Sequence, residues 1–192
     1  MKKIVIIICF GLITMSTQAQ FNVGVTIGPQ IPLGSMSDAM KIGFGFNIAG
    51  KYMVNQQIGV GLNIGYSSFG STPITYQGQV VSTTLTSSGS AVPITALFEY
   101  HIGKGKFKPY VGADLGLYNF SHTYNSESGL NGSSIPVSFS KMYFGFAPTA
   151  GALFELNNKF SLCANLKYNF IASTGGSSTY MGINIGAFYK IK

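Results

Sequence analysis

Residues 142–156 read MYFGFAPTAGALFEL, and for most of that length every second side chain is apolar. A period of two places one parity on each face of a β-strand. Seven other segments carry the same beat. The pattern predicts strands over 21–33, 41–53, 58–69, 91–102, 107–120, 138–155, 160–171 and 179–191. In the third, Ile58, Val60, Leu62, Ile64 and Tyr66 oppose Gly59, Gly61, Asn63, Gly65 and Ser67. In the fifth, Val111, Ala113, Leu115 and Leu117 oppose Tyr110, Gly112, Asp114, Gly116 and Tyr118. No stretch of the chain after residue 20 shows the 3.6-residue period of an amphipathic helix. The fold class expected is all-β, an eight-stranded antiparallel barrel in up-and-down meander order.

Alternation alone does not say which parity faces the inside. The composition of the polar parity decides. It holds glycines, Asn, Ser, Thr and several tyrosines, with few charges. That suits a crowded interior better than a solvated exterior. The apolar parity then forms the outside and stands in hydrocarbon, where a closed ladder leaves no backbone group unpaired. Aromatic residues gather at the stripe ends. Tyr52, Phe98, Tyr100, Phe107, Phe154, Phe160 and Tyr189 lie at one end, and Tyr66, Phe144 and Phe170 toward the other. They read as interfacial girdles. A periplasmic or secreted β-sandwich with an apolar core is the alternative.

The connections carry independent information. Those at 54–57, 103–106 and 156–159 are tight. The others are longer, above all 70–90 and 121–137, and are rich in Ser, Gly, Thr and Asn. Short periplasmic turns alternating with longer outer loops is the pattern of a transmembrane β-barrel of the outer membrane. It places both chain termini in the periplasm.

The N-terminus supplies the route. Lys2 and Lys3 precede a short apolar run, Ile4 to Met15, and Ser16-Thr17-Gln18-Ala19 offers small residues at Thr17 and Ala19. This is the form of a secretory signal peptide over 1–19, with the barrel domain over 20–192. The apolar run is shorter than the roughly 20 residues of a spanning helix. Cys9 lies within it, after Ile8, which does not suit a lipoprotein signal. Cleavage leaves Cys163 as the single cysteine, too few for an intramolecular disulfide or a metal site. The formal net charge of +7 falls by two when Lys2 and Lys3 leave. The remaining lysines are scattered singly, so nucleic acid is not an expected partner.

Three stretches carry a resemblance: the signal ending in Ala19-Gln20, the segment KPYVGADLG over 108–116, and the closing YMGINIGAFY over 180–189. The mature chain resembles the small outer-membrane β-barrel family, with its OmpA-like and OmpX-like eight-stranded domains, in the form common in Bacteroidetes. The resemblance implies the outer membrane of a Gram-negative bacterium. It implies lipid and lipopolysaccharide around the barrel, and the barrel-assembly machinery as a partner. The family's last strand often ends on an aromatic residue that this machinery reads. Here the chain runs past Tyr189 to Ile191 and Lys192. The peptidoglycan-binding domain that follows OmpA-like barrels is expected to be absent.

Eight strands enclose a lumen that side chains can fill. Its expected charges are Lys51, Glu99, Lys108, Asp114, Lys141, Glu155, Lys167 and Lys190. Asp114 and Lys167 lie at similar depth on the fifth and seventh strands and are expected to pair. Glu99 is expected to meet Lys108 nearer the turns, because a buried charge without a partner is costly. These pairs read as a packing plug, with a gate in a narrow water path as the alternative. Inward glycines, among them 59, 61, 65, 112, 116, 145, 151, 182 and 186, would leave space for water. That keeps a narrow porin-like channel for ions or small solutes open.

Catalysis has little support. His122 is the only histidine near the long-loop rim, followed by Thr123-Tyr124 where lipid A-editing barrels of the family carry His-x-Ser. No spacing sets Ser121, Ser126 and Glu127 around it as a triad requires. Gly103-Lys104-Gly105 is a turn with no helix after it. No catalytic residue, cofactor or metal is expected. The reading is a non-enzymatic barrel with a structural, adhesive or interaction role, meeting an extracellular ligand at 70–90 and 121–137.

Overall fold

The computed structural model describes residues 20–77, 82–103, 105–128, 134–173 and 176–191. The expected signal peptide, with Cys9, lies outside the described residues, as do Lys104 and Lys192. Eight strands run in chain order: β1 (Gln20–Leu33), β2 (Met40–Met53), β3 (Ile58–Gln77), β4 (Ser82–His101), β5 (Phe107–Ser128), β6 (Ser134–Glu155), β7 (Phe160–Ser173) and β8 (Gly176–Ile191). Each pairs antiparallel with its neighbour, and β1 closes on β8 through pairs such as Val23 with Tyr189 and Ile27 with Ile185. The result is the closed eight-stranded meander.

The barrel is apolar outside. Leu62 is 66% exposed and Ile185 63%, while the inward Asn63 and Thr95 are 3% and 2% exposed. A sandwich with an apolar core is therefore excluded. The girdle at the turn end faces outward, with Tyr52, Phe98, Tyr100, Phe107, Phe154, Phe160 and Tyr189 all exposed. Along β4 and the residue that follows it, the apolar stripe runs from Val92 to Ile102. At strand rise and a tilt of about 40°, that spans roughly 25 Å, the height of a barrel's apolar band.

Beyond that band the pattern inverts. Phe69, Phe120 and Ile171 point inward and are at most 3% exposed. The outward positions become polar: Ser140 Oγ donates to Asn119 Oδ1, Ser121 Oγ donates to Ser140 Oγ, and the Thr123 and Ser138 hydroxyls lie 3.0 Å apart. Where lipid ends, the outside is water, and each face takes the residues its solvent favours. A bulge between Lys41 and Phe44 helps the inversion on β2. It turns Met40 inward, 2% exposed, although continuing the alternation from the outward Ile42 would set it outside.

The stretches expected as loops at 70–90 and 121–137 are mostly strand. β3 pairs β4 as far as Gln77 with Ser82, β4 pairs β5 as far as Thr83 with Ser128, and β5 pairs β6 as far as Glu127 with Ser134. Their Ser- and Thr-rich sequences lack alternation yet form strands, and over 137–142 of β6 successive residues are exposed on both faces of the projecting sheet. The connection between β1 and β2 contains a one-turn helix, α1 (Ser35–Ala39), after Gly34 in the left-handed region at φ 57°. It lays Met36 over the lumen.

Two of the tight turns share one device. Asn55 Oδ1 accepts the backbone N–H groups of Gln57 and Ile58 at 2.8 and 2.7 Å. Asn157 Oδ1 accepts those of Lys159 and Phe160 at 2.8 and 2.9 Å. An Asn side chain that satisfies two amides holds the reversal without a glycine. The turn after β4 instead uses Gly103 at φ 98°.

If the apolar parity meets hydrocarbon, Leu62→Lys and Leu115→Lys should each cost about 2–4 kcal/mol near midplane and block stable insertion. The check is the yield of heat-modifiable, membrane-inserted barrel. Normal yield for both would contradict the assignment.

Candidate functional site

The lumen is the first candidate site, and its layers follow from the inward parity. In the middle layer, Lys167 Nζ on β7 donates to Asp114 Oδ2 on β5 at 2.6 Å. Thr95 Oγ1 donates to the same carboxylate oxygen at 3.1 Å. Beside it, Gln30 Nε2 donates to Asn184 Oδ1, and Asn184 Nδ2 to Asn165 Oδ1, both at 3.0 Å. Asp114 and Lys167 thus meet at the depth their distance from the turns indicates.

Glu99 does not meet Lys108. Lys51 Nζ donates to both Glu99 oxygens at 2.8 Å, and His101 Nε2 lies 3.2 Å from Glu99 Oε2. Lys108 Nζ instead donates to Glu155 Oε1 at 2.5 Å. Register explains the exchange. Glu99 stands opposite Gly112 on β5, four residues above Lys108, whereas Lys51 and Glu99 flank β3 at Gly61 and Gly59. With glycine at those two positions, the Lys51 side chain reaches over β3 to Glu99. The Asp114–Lys167 pair spans β6 in the same way, over Ala147 and Thr149. Lys141, expected in the lumen, is exposed on the projecting sheet.

The inward glycines are not spare volume. A Cβ at Gly145 would lie 2.8 Å from the Tyr118 ring, at Gly151 2.8 Å from the Tyr110 ring, and at Gly182 2.7 Å from Gln30 Oε1. One at Gly61 would lie 2.0 Å from the Gly50 carbonyl oxygen. Each is room already taken by a large inward side chain or by the backbone of a neighbouring strand. Lys51 Nζ sits 3.8 Å from the centre of the Phe188 ring, which itself covers Gly24.

Above the polar layers lies an apolar seal that alternation did not reveal. It comprises Met36, Met40, Phe69, Ala91, Tyr118, Phe120, Ile171 and Tyr180. Phe69 meets Tyr180 edge-on at 5.1 Å and stacks near Phe120 at 6.3 Å. Tyr118 keeps its hydroxyl bonded to Asn169 Oδ1 at 3.1 Å. Cys163 is a small inward strand residue, its Sγ 3.4 Å from the Tyr110 hydroxyl. His122 packs on Phe120, with ring centres 4.7 Å apart.

The second candidate site is the projecting sheet itself. β3, β4, β5 and β6 continue together past the apolar band, as a four-stranded blade. β7 pairs β6 only from Phe144 with Ala172 downward, so the β6 backbone over 134–143 has no β7 partner among the described residues. On it Phe139 is 61% and Val137 43% exposed.

The Asp114–Lys167 pair is buried, so breaking it leaves one charge uncompensated. Asp114→Ala or Lys167→Ala should each destabilise by about 3–5 kcal/mol, and the double variant by less than either. Urea unfolding of the refolded barrel measures this. Additive losses would show that the pair contributes no coupling.

The comparisons agree with this geometry. The family model for the outer membrane protein beta-barrel domain matches residues 5–190. The chain is 24% identical over 174 residues to an uncharacterized protein of Haemophilus influenzae, across 90% of this chain and 92% of that one. Its fold is similar to that of Neisserial surface protein A, with TM-score 0.55 and 19% identity over 91% of this chain and 99% of that one. It is similar also to a major outer membrane protein of Thermus thermophilus, with TM-score 0.59 and 13% identity over 90% of this chain and 99% of that one. At such identities the structures speak for the fold alone. The family model spans nearly the whole chain, and this protein belongs to the outer membrane β-barrel family.

Proposed function

We propose that this barrel is a non-conducting, non-enzymatic anchor that presents the β3–β6 blade outside the cell as a contact surface. The tight-turn end and both chain termini then face the periplasm, as short turns do in such barrels. The observation that carries the reading is the blade: a four-stranded sheet continued beyond the apolar band, its β3 edge over 72–77 and its β6 edge over 134–143 both unpaired among the described residues, with Val137 and Phe139 exposed on the β6 edge. Exposed apolar groups on a surface that needs none for stability mark interaction sites. An unpaired strand edge offers backbone donors and acceptors to an extended partner segment. Pro136 and Lys141 on the β6 edge work against uncontrolled self-pairing.

The lumen supports the non-conducting half of the reading. Inward side chains from all eight strands are buried, two ion pairs each bridge one intervening strand on its wall, and the apolar seal lies between them and the blade.

Two measurements test the proposal. Liposomes holding the refolded barrel should retain chloride and small sugars as well as empty ones do; rapid efflux would make it a channel. Cells displaying the protein should adhere to members of a panel of extracellular-matrix proteins. Val137→Ser/Phe139→Ser should lower that adhesion about tenfold, the order expected for losing buried apolar anchors. Equal adhesion by a barrel trimmed of 72–87 and 122–138 would contradict the blade's role.

A further inference from the structure

At the tight-turn end the lumen opens into a cavity of about 310 Å³. Its wall includes Lys51, His101, Lys108, Glu155, Lys159 and Lys190. We infer that this mouth is a binding site for a small oxyanion, a phosphate or short carboxylate taken from the water on that side. Three observations lead there.

The first is charge. Lys51 has Glu99, and Lys108 has Glu155. Lys159 and Lys190 have no acidic partner among the described residues. They nevertheless sit opposite each other where β7 meets β8, since the Lys190 N–H donates to the Lys159 carbonyl at 2.8 Å. Like charges directly opposite on adjacent strands repel. An anion between them removes that repulsion.

The second is His101. Its side chain is 1% exposed, and its Nε2 lies 3.2 Å from Glu99 Oε2. Among the described residues neither ring nitrogen makes a hydrogen bond of full geometry, and Nδ1 has no acidic group beside it at all. A buried polar atom left in that state calls for a partner. An imidazole N–H donates, and an ionised phosphate or carboxylate oxygen accepts.

The third is shape. The cavity is at the lower end of the range for ligand sites, which fits a compact anion and not a polymer. Its lining side chains point into the lumen. The aromatic girdle of Phe107, Phe154, Phe160 and Tyr189 stands on the outer wall, between the site and bilayer lipid. That favours an anion from solution over a lipid headgroup. The site is independent of the blade at the other end.

The chain has two histidines, so imidazole nitrogen NMR of the full barrel in zwitterionic nanodiscs resolves the site, with His122 as internal control. Inorganic phosphate, and succinate as the carboxylate probe, should shift His101 saturably and leave His122 in place. Sodium chloride at equal ionic strength should do neither. Lys190→Gln, a change at the rim that leaves the Lys51–Glu99–His101 cluster intact, should weaken the apparent affinity about tenfold, as loss of one charge-assisted contact does. A His101 response to chloride equal to that to phosphate, or none to any probe, would overturn the site. So would a full shift produced by anionic lipid in the nanodisc without added anion, since the ligand would then be a headgroup.

Discussion

Closure of β1 on β8 is the contact on which everything else depends. Inside hydrocarbon no water is present to satisfy a backbone amide, and an open sheet edge at that depth is not tolerated. The ladder from Phe21 with Ile191 to Leu33 with Thr179 removes both edges at once. Once the backbone is satisfied by geometry, side chains are free to sort by solvent. Lipid takes the apolar parity, and the polar parity is left to fill an interior only eight strands wide.

That interior is built on pairs of unequal partners. Large or charged inward residues stand next to glycine or other small residues on neighbouring strands, so Tyr118 covers Gly145, Tyr110 covers Gly151 and Lys51 reaches over β3 at Gly59 and Gly61. The two most buried ion pairs each cross one intervening strand. A packed interior whose buried charges are paired in this way suits a scaffold. The regions with apolar or basic groups left over are at the two ends: Phe139 and Val137 on the blade, and Lys159 and Lys190 at the turn-side mouth.

The strands within the bilayer were legible because lipid on one side and a polar lumen on the other impose a strict period of two. Their parity, number and tight turns could be read residue by residue from Phe21 to Ile191. Legibility stopped where the solvent changed. Phe69, Phe120 and Ile171 close the predicted strands 58–69, 107–120 and 160–171 on the inward parity, where inside and outside exchange character, and alternation alone did not mark them as an apolar seal. The blade was hidden for a related reason, since where successive residues are exposed on both faces, as over 137–142, there is no alternation to show. The partner of Glu99 was misassigned because strand tilt shifts neighbours along the barrel axis, and cross-lumen reach depends on which intervening residue is small. Distance from a turn located Asp114 and Lys167 correctly only because Ala147 and Thr149 leave the space between them open.

The central claim is that a change of solvent, and not a change of fold, sets where the apolar parity switches sides. Spin labels at successive outward positions of β5 test it most directly, through collision with oxygen in lipid and with a water-soluble nickel chelate. Labels at Leu115 and Leu117 should be reached by oxygen and shielded from nickel, while those at Asn119, Ser121 and Thr123 should show the reverse although the strand continues unbroken. Lipid-type accessibility persisting through Thr123, or nickel access at Leu115, would contradict the account.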